Sequence, residues 1–352
     1  MLTDRENFIR TARFQNPEWI PMRVHISDAS WDEHRGDMEK AALKYPDFFP
    51  HVREGWRDYD NYVFAPACQK GDVFYDNWGC GWVTQMNGIE GVVTYSPLSD
   101  WSKLDSYYFP DIETTADRGP RDWNDEARNI SESKENGLLV TCGLPHGFLF
   151  LRLTYLREFE NAMCDMAEDE PRFVKLFDDL VKYNLEIVKR YVRFGADVMS
   201  FPEDLGTQTG PIISPGMFEK WFVPAYGKLM APCREAGILT HFHSDGKTLS
   251  ILENQIRAGV QIVNPQDLAN GVDNLAEQIK GRACIDLDID RQSVVPYGSR
   301  RDIFDLIGEE VKKLGSSEGG LMMIAGIYPP TPPENVDALC AALRKYRTYW
   351  HD

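Results

Sequence analysis

From residue 138 onward, strand-like and helix-like segments alternate without a break, and this limits the possible folds more than any other feature of the chain. Residues 138–142 form a short apolar run with a β-branched member, the mark of a buried strand. A helix is expected over 171–194. Pro171 suits a first helical position, and Gly195 is placed to end the helix. Between them, Phe173, Leu176, Phe177, Leu180, Asn184, Ile187, Val188 and Tyr191 trace one largely apolar face. Strands over 198–201, 238–243, 261–264, 283–286 and 321–324 then alternate with helices over 214–236, 247–258, 275–279, 301–314 and 333–346. Such alternation implies parallel βαβ units. With one more strand over 20–25, it predicts an α/β chain: a single (β/α)8 TIM barrel spanning 1–352. An open dinucleotide-binding sheet is disfavoured, because no G-x-G-x-x-G turn follows any strand.

The stretch 45–137 breaks the alternation. It is irregular and aromatic, carrying Trp56, Trp78, Trp82 and Trp101, and 72–84 reads as two short strands around a glycine-containing turn. An N-terminal insertion lying over or beside the barrel mouth is expected, since that aromatic area must be buried somewhere. Composition then narrows the setting. With 43% hydrophobic and 26% charged residues the chain is of ordinary globular type. Acidic residues outnumber basic ones by 55 to 38, a net charge of −17, which disfavours nucleic acid and anionic membranes as partners. No apolar run reaches 18 residues, and the N-terminus lacks a signal-like stretch. Seven widely spaced cysteines, an odd number, argue against a disulfide framework and for a reducing cytoplasm.

In a barrel of this kind reactive groups gather where strands end. Polar residues there are His146, Glu203 and Asp204, His241, His243 and Asp245, Asn264 and Gln266, and the ladder Asp286, Asp288 and Asp290. The sharpest pattern is His241-Phe-His243-Ser-Asp245-Gly246. Alternate residues of a strand share a face, so both imidazoles can point into the mouth, and imidazole beside carboxylate suits zinc or another divalent ion. The plainer alternative packs one histidine inside and uses Asp245 as a helix cap. His243 and Asp245 are the expected metal ligands, with Glu203 the third, since it ends the strand expected beside theirs. His146, Glu203, His241 and His243 are the candidate catalytic groups. His146, Glu203, His243 and Asp290 are expected to converge on one cavity, with Asp76, Trp78 and Tyr328 at its rim for substrate.

The run Gly195-Ala196-Asp197-Val198, Asp204-Leu-Gly206-Thr-Gln208-Thr-Gly210, Ser214-Pro-Gly216-Met-Phe218 and His243-Ser-Asp245-Gly246 resembles the uroporphyrinogen decarboxylase superfamily. Asn264-Pro-Gln266, Thr331-Pro-Pro-Glu334 and the opening Pro17-Glu-Trp-Ile-Pro21 extend the likeness over essentially the whole chain. The resemblance implies a (β/α)8 barrel and adds Gln208 to the substrate contacts. Porphyrinogen decarboxylases carry an Arg-Gln-Ala-Gly-Arg stretch after the first strand, whose arginines hold carboxylates; here 21–31 reads PMRVHISDASW. The chain resembles more closely the branch of methyltransferases that serve corrinoid proteins. Their zinc motif is His-x-Cys: His243 falls on the histidine, Asp245 replaces the cysteine, and Ala325 stands at the third-ligand position.

This reading implies a corrinoid-dependent methyltransferase or demethylase that moves a methyl group between a small methylated substrate and the corrinoid of a separate partner protein, with a divalent metal, zinc or a harder ion, at His243, Asp245 and Glu203. His241 or His146 would supply the proton for the leaving group. A homodimer is compatible with it. The alternatives are a metal-free decarboxylase using carboxylates such as Glu203 or Asp76, and a non-catalytic ligand-binding barrel.

Overall fold

A computed structural model describes residues 2–351. Its strands are β1 (Met22–Ile26), β2 (Phe74–Tyr75), β3 (Gly81–Val83), β4 (Val92–Tyr95), β5 (Thr141–Gly143), β6 (Val198–Asp204), β7 (Leu239–Asp245), β8 (Ile262–Pro265), β9 (Cys284–Asp288) and β10 (Leu321–Ile327). The chain divides into two compact units. One holds residues up to Gly71, Thr84–Gly91 and everything from Pro265; the other holds Asp72–Val83 and Val92–Asn264.

In the second unit β5, β6 and β7 pair in parallel, in that order, and β8 follows β7. The β6–β7 register aligns Ser200 with His241, Pro202 with His243 and Asp204 with Asp245. The two faces of these strands differ. Phe201, Glu203, Phe242 and Ser244 are buried, whereas Ser200, Pro202, Asp204, His241, His243 and Asp245 are only partly covered. The closed face packs on helices. Phe201 meets Phe148 at 5.9 Å between ring centroids, and Phe242 meets Tyr226, on the helix Pro215–Glu235, at 5.1 Å. Each such ring contributes about 2–3 kcal/mol by leaving water.

The helix Pro171–Phe194 forms as its period predicts. Glu170 accepts from Arg172 N–H at its start, Gly195 adopts φ +81° at its end, and its one buried polar residue, Asn184, donates to the Phe148 carbonyl at 2.9 Å. In the first unit β1, β10 and β9 pair in parallel in that order, with helices including Arg300–Leu314 and Pro333–Tyr346.

Among the described residues parallel strands number seven, where a closed (β/α)8 barrel needs eight. All seven sequence-predicted strands are present. The eighth would have to lie between β1 and β5, where the chain has no long apolar run. There the residues form the antiparallel ladder β2–β3–β4, short 3-10 turns and the helix Trp123–Glu135 instead. No helix among the described residues is long and apolar enough to cross a membrane.

Candidate functional site

The open row of β6 and β7, with the loop after β5, brings three side chains together. His146 Nε2 lies 3.4 Å from Asp204 Oδ1, and His243 Nε2 lies 3.8 Å from the same oxygen. One ligand atom from each of His146, Asp204 and His243 falls within 4.8 Å of the other two. Asp245 Oδ1 stands 3.2 Å from His243 Nε2. On the other edge of the ring, His243 Nδ1 is 2.7 Å from Asn264 Oδ1 on β8.

The loops beyond β6 and β7 hold these strand ends in place. Asp245 N–H donates to Asp204 Oδ1 at 3.1 Å, Leu205 N–H to Ser244 Oγ at 2.8 Å, and Lys247 N–H to the Thr207 carbonyl at 2.7 Å. The two backbones come so close at Gly206 and Gly246 that neither tolerates a side chain. A Cβ on Gly246, whose φ is +78°, would fall 2.4 Å from the Gly206 carbonyl carbon. The glycine of the His243-Ser-Asp245-Gly246 run is therefore required by contact as well as by conformation.

Burial opposes the charged form of His146, but the hydrogen bond and negative charge of Asp204 outweigh it, so its pKa is raised above the ordinary imidazole value.

Of the residues expected at the site, His146 and His243 meet, and Asp245 joins them. His241 sits two residues back on the same row, with Nδ1 3.4 Å from Ser200 Oγ. Gln208 is exposed in the loop after β6. Glu203 has to be reassigned. It points to the closed face with Phe201, is fully buried, and accepts from the N–H groups of Leu149 (2.8 Å), Phe150 (2.7 Å) and Leu151 (3.1 Å) at the start of the helix Phe150–Arg157. Strand parity puts Asp204, its neighbour, in the place expected for it.

Asp76 and Trp78 are also reassigned, from the rim to a buried cluster around Arg152, described below. Asp290, in the first unit, uses its carboxylate to accept from the N–H groups of Gln292, Ser293, Val294 and Val295. Tyr328, in the same unit, lies under the Arg291 guanidinium, 5.4 Å from it. The sequence marks the pair Glu203-Asp204 as a candidate carboxylate ligand or acid–base group without choosing between them, and Asn264 as a polar strand end. The β6–β7 register, which aligns Asp204 with Asp245, selects Asp204 of the two.

The family model for uroporphyrinogen decarboxylase matches residues 148–346. No curated protein matches the chain. Among solved structures, a methyltransferase from Methanosarcina mazei superposes with a TM-score of 0.65 at 17% identity, over 98% of this chain and 99% of that one. A B12-independent methionine synthase from Shewanella sp. W3-18-1 follows at TM-score 0.41 and 12% identity, covering 65% of this chain and 68% of that one.

Proposed function

Given that the chain belongs to the uroporphyrinogen decarboxylase family, we propose that it is a methyltransferase or demethylase of that family, moving a methyl group between a small methylated compound and a corrinoid held by a separate protein. The observation that carries the reading is the convergence of His146, Asp204 and His243 at the ends of adjacent parallel strands. The fold likeness to a methyltransferase over nearly the full length of both chains agrees with it.

The donor set fits a divalent ion. Two imidazoles and a carboxylate, with Asp245 beside them, offer nitrogen and oxygen but no thiolate, which suits zinc and harder ions alike. Asn264 at Nδ1 leaves Nε2 of His243 turned toward the carboxylates. In this reading His146, Asp204 and His243 are the ligands, in place of the set with Glu203. A bound ion would supply Lewis acidity toward the leaving heteroatom of the methyl donor. The chain's own residues orient that donor and manage its proton. His146 Nε2 stands 3.4 Å from Asp204 Oδ1, where a proton can be passed between them, and Asp245 offers a second carboxylate within reach of His243.

Decarboxylation of a polycarboxylate is less well served. Arg23, on β1, is engaged with buried Asp286, its Nη2 2.5 Å from Oδ2, so its charge is already matched.

Metal titration of the purified protein tests the site. His243→Ala and Asp204→Ala are each expected to weaken zinc or cobalt binding by about a hundredfold or more, since loss of a mere outer-shell partner already costs about 10–100-fold. Wild-type affinity should fall with decreasing pH as protons compete for the imidazoles. The fall should begin above the ordinary histidine range, because the pKa of His146 is raised. Variants that keep wild-type affinity would remove the site. The reaction is tested by incubating the metal-loaded protein with methylated alcohols, amines and aryl ethers and a reduced corrinoid protein. Methyl–cobalt absorbance is expected with one of these classes. Carbon dioxide release from a carboxylated substrate, with no methyl–cobalt from any donor, would overturn it.

A further inference from the structure

We propose that Asn264 is a positioning residue that sets the tautomer of His243, holding the proton on Nδ1 so that Nε2 is the nitrogen available for exchange. The inference rests on His243 being the working imidazole of the site, as read above, and not on the identity of the reaction.

The ring lies between two kinds of acceptor. On one edge Asn264 Oδ1 is 2.7 Å from Nδ1; on the other, Asp245 Oδ1 is 3.2 Å and Asp204 Oδ1 3.8 Å from Nε2. A neutral imidazole has one proton to give. Were the carboxylates its only acceptors, that proton would sit on Nε2 and be donated to Asp245, closing off the lone pair that a metal or a substrate proton needs. A carbonyl oxygen at 2.7 Å from Nδ1 competes for it. It is short, it comes from the neighbouring strand, and Asn264 is itself only 6% exposed, so the contact is poorly hydrated and strong. The Asp204 oxygen is meanwhile occupied by the Asp245 N–H at 3.1 Å, which weakens it as a rival acceptor.

With Nδ1–H fixed toward Asn264, whatever the site exchanges, proton or cation, it exchanges at Nε2. This is the division of labour expected of a ligating histidine, whose second nitrogen is tied to a partner that sets ring orientation and tautomer.

The direct test is nitrogen NMR of metal-free protein labelled with 15N-histidine, at about pH 9, well above the ordinary imidazole pKa. His243, identified by loss of its signals in His243→Gln, is expected to show a protonated Nδ1 and an unprotonated Nε2. Asn264→Asp keeps an acceptor and should keep that tautomer, whereas Asn264→Leu should move the proton to Nε2. Zinc affinity should fall about 10–100-fold in Asn264→Leu and recover in Asn264→Asp. A wild-type ring protonated on Nε2 would overturn the proposal, as would an Asn264→Leu variant with the wild-type tautomer. Should the leucine variant fail to fold, the wild-type and Asn264→Asp spectra decide. Failure of methyl transfer with every donor would overturn the proposed reaction and leave the tautomer result standing.

Discussion

Replacing Arg152 by Met is expected to destabilise the protein by about 3–5 kcal/mol, the usual cost of removing one partner from a buried ion pair. The Arg152 side chain is 1% exposed, on the helix Phe150–Arg157. Its Nη1 lies 2.9 Å from Asp76 Oδ2, its Nη2 bonds Asp117, and its guanidinium stacks 4.9 Å from the centre of the Trp78 ring. Asp76 is satisfied as well: Oδ1 accepts from the N–H groups of Trp78 and Cys80, and Oδ2 from Trp82 Nε1 at 2.9 Å. The arginine therefore ties the β2–β3 hairpin and the Asp117 loop to the helix that begins just after His146. Methionine keeps most of the volume but removes the buried guanidinium that Asp76 and Asp117 share, leaving Asp117 only the weaker pairing with Arg118 Nε at 3.5 Å. Burial already raises the Asp117 pKa, against the lowering effect of Arg152. Without the arginine it rises further, so the deficit should shrink as pH falls and Asp117 takes up a proton. Urea unfolding at several pH values reads both effects, and Arg152→Met/Asp117→Asn should recover part of the loss. A single variant within about 1 kcal/mol of wild type at neutral pH would show that the pair is not holding the segment.

Asp76 and Trp78 stand out in the sequence, but their meeting with Asp117 and Arg152 does not, and the reason is physical. Asp76, Asp117 and Arg152 are brought together from 76 residues of chain by tertiary packing, and no local period marks them. What periodicity does mark was legible. The helix Pro171–Phe194 begins and ends on the residues its proline and glycine indicate, and β7 carries His241 and His243 on one face as alternation requires. The apolar run 198–201 puts Glu203 and Asp204 at a strand end but does not say which of the two faces the mouth. β6 in fact continues to Asp204. Once the strand is extended, parity decides: Met199, Phe201 and Glu203 share the closed face, and Asp204 falls on the row aligned with His241 and His243. The end of β9 bears on Asp290 in the same way. β9 stops at Asp288, so the Asp286–Asp290 ladder is broken before its last member, which turns back to cap its own loop. Asn264 was seen as polar but could not be paired with His243 without the order of strands.

Stability measured between pH 4.5 and 8 should carry the signature of Glu203. Burial pushes its carboxyl up to about 7 from an ordinary value of 4.5, even though three backbone N–H groups draw it down. Between those two values the folded chain binds more protons at this position than the unfolded one. Its stabilising contribution is therefore complete below about 4.5 and is lost as pH rises through about 7, a change of about 3 kcal/mol. Glu203→Gln removes the titration, so the gap between wild type and variant should change by roughly that amount across the range, with wild type relatively better in acid. Glu203→Ala removes the acceptors for Leu149, Phe150 and Leu151 altogether, and leaving two buried donors and one half-buried donor without partners should cost about 3 kcal/mol or more. Parallel stability curves for wild type and Glu203→Gln would refute the assignment. The effect also reaches the site. The capped N–H groups begin three residues after His146, so a weakened cap loosens the segment that aims its Nε2 at Asp204. Glu203→Ala should therefore weaken zinc binding in protein that is still folded, although Glu203 itself touches no ligand atom. A variant with an intact fold and unchanged zinc affinity would mean that His146 is placed by Asp204 alone.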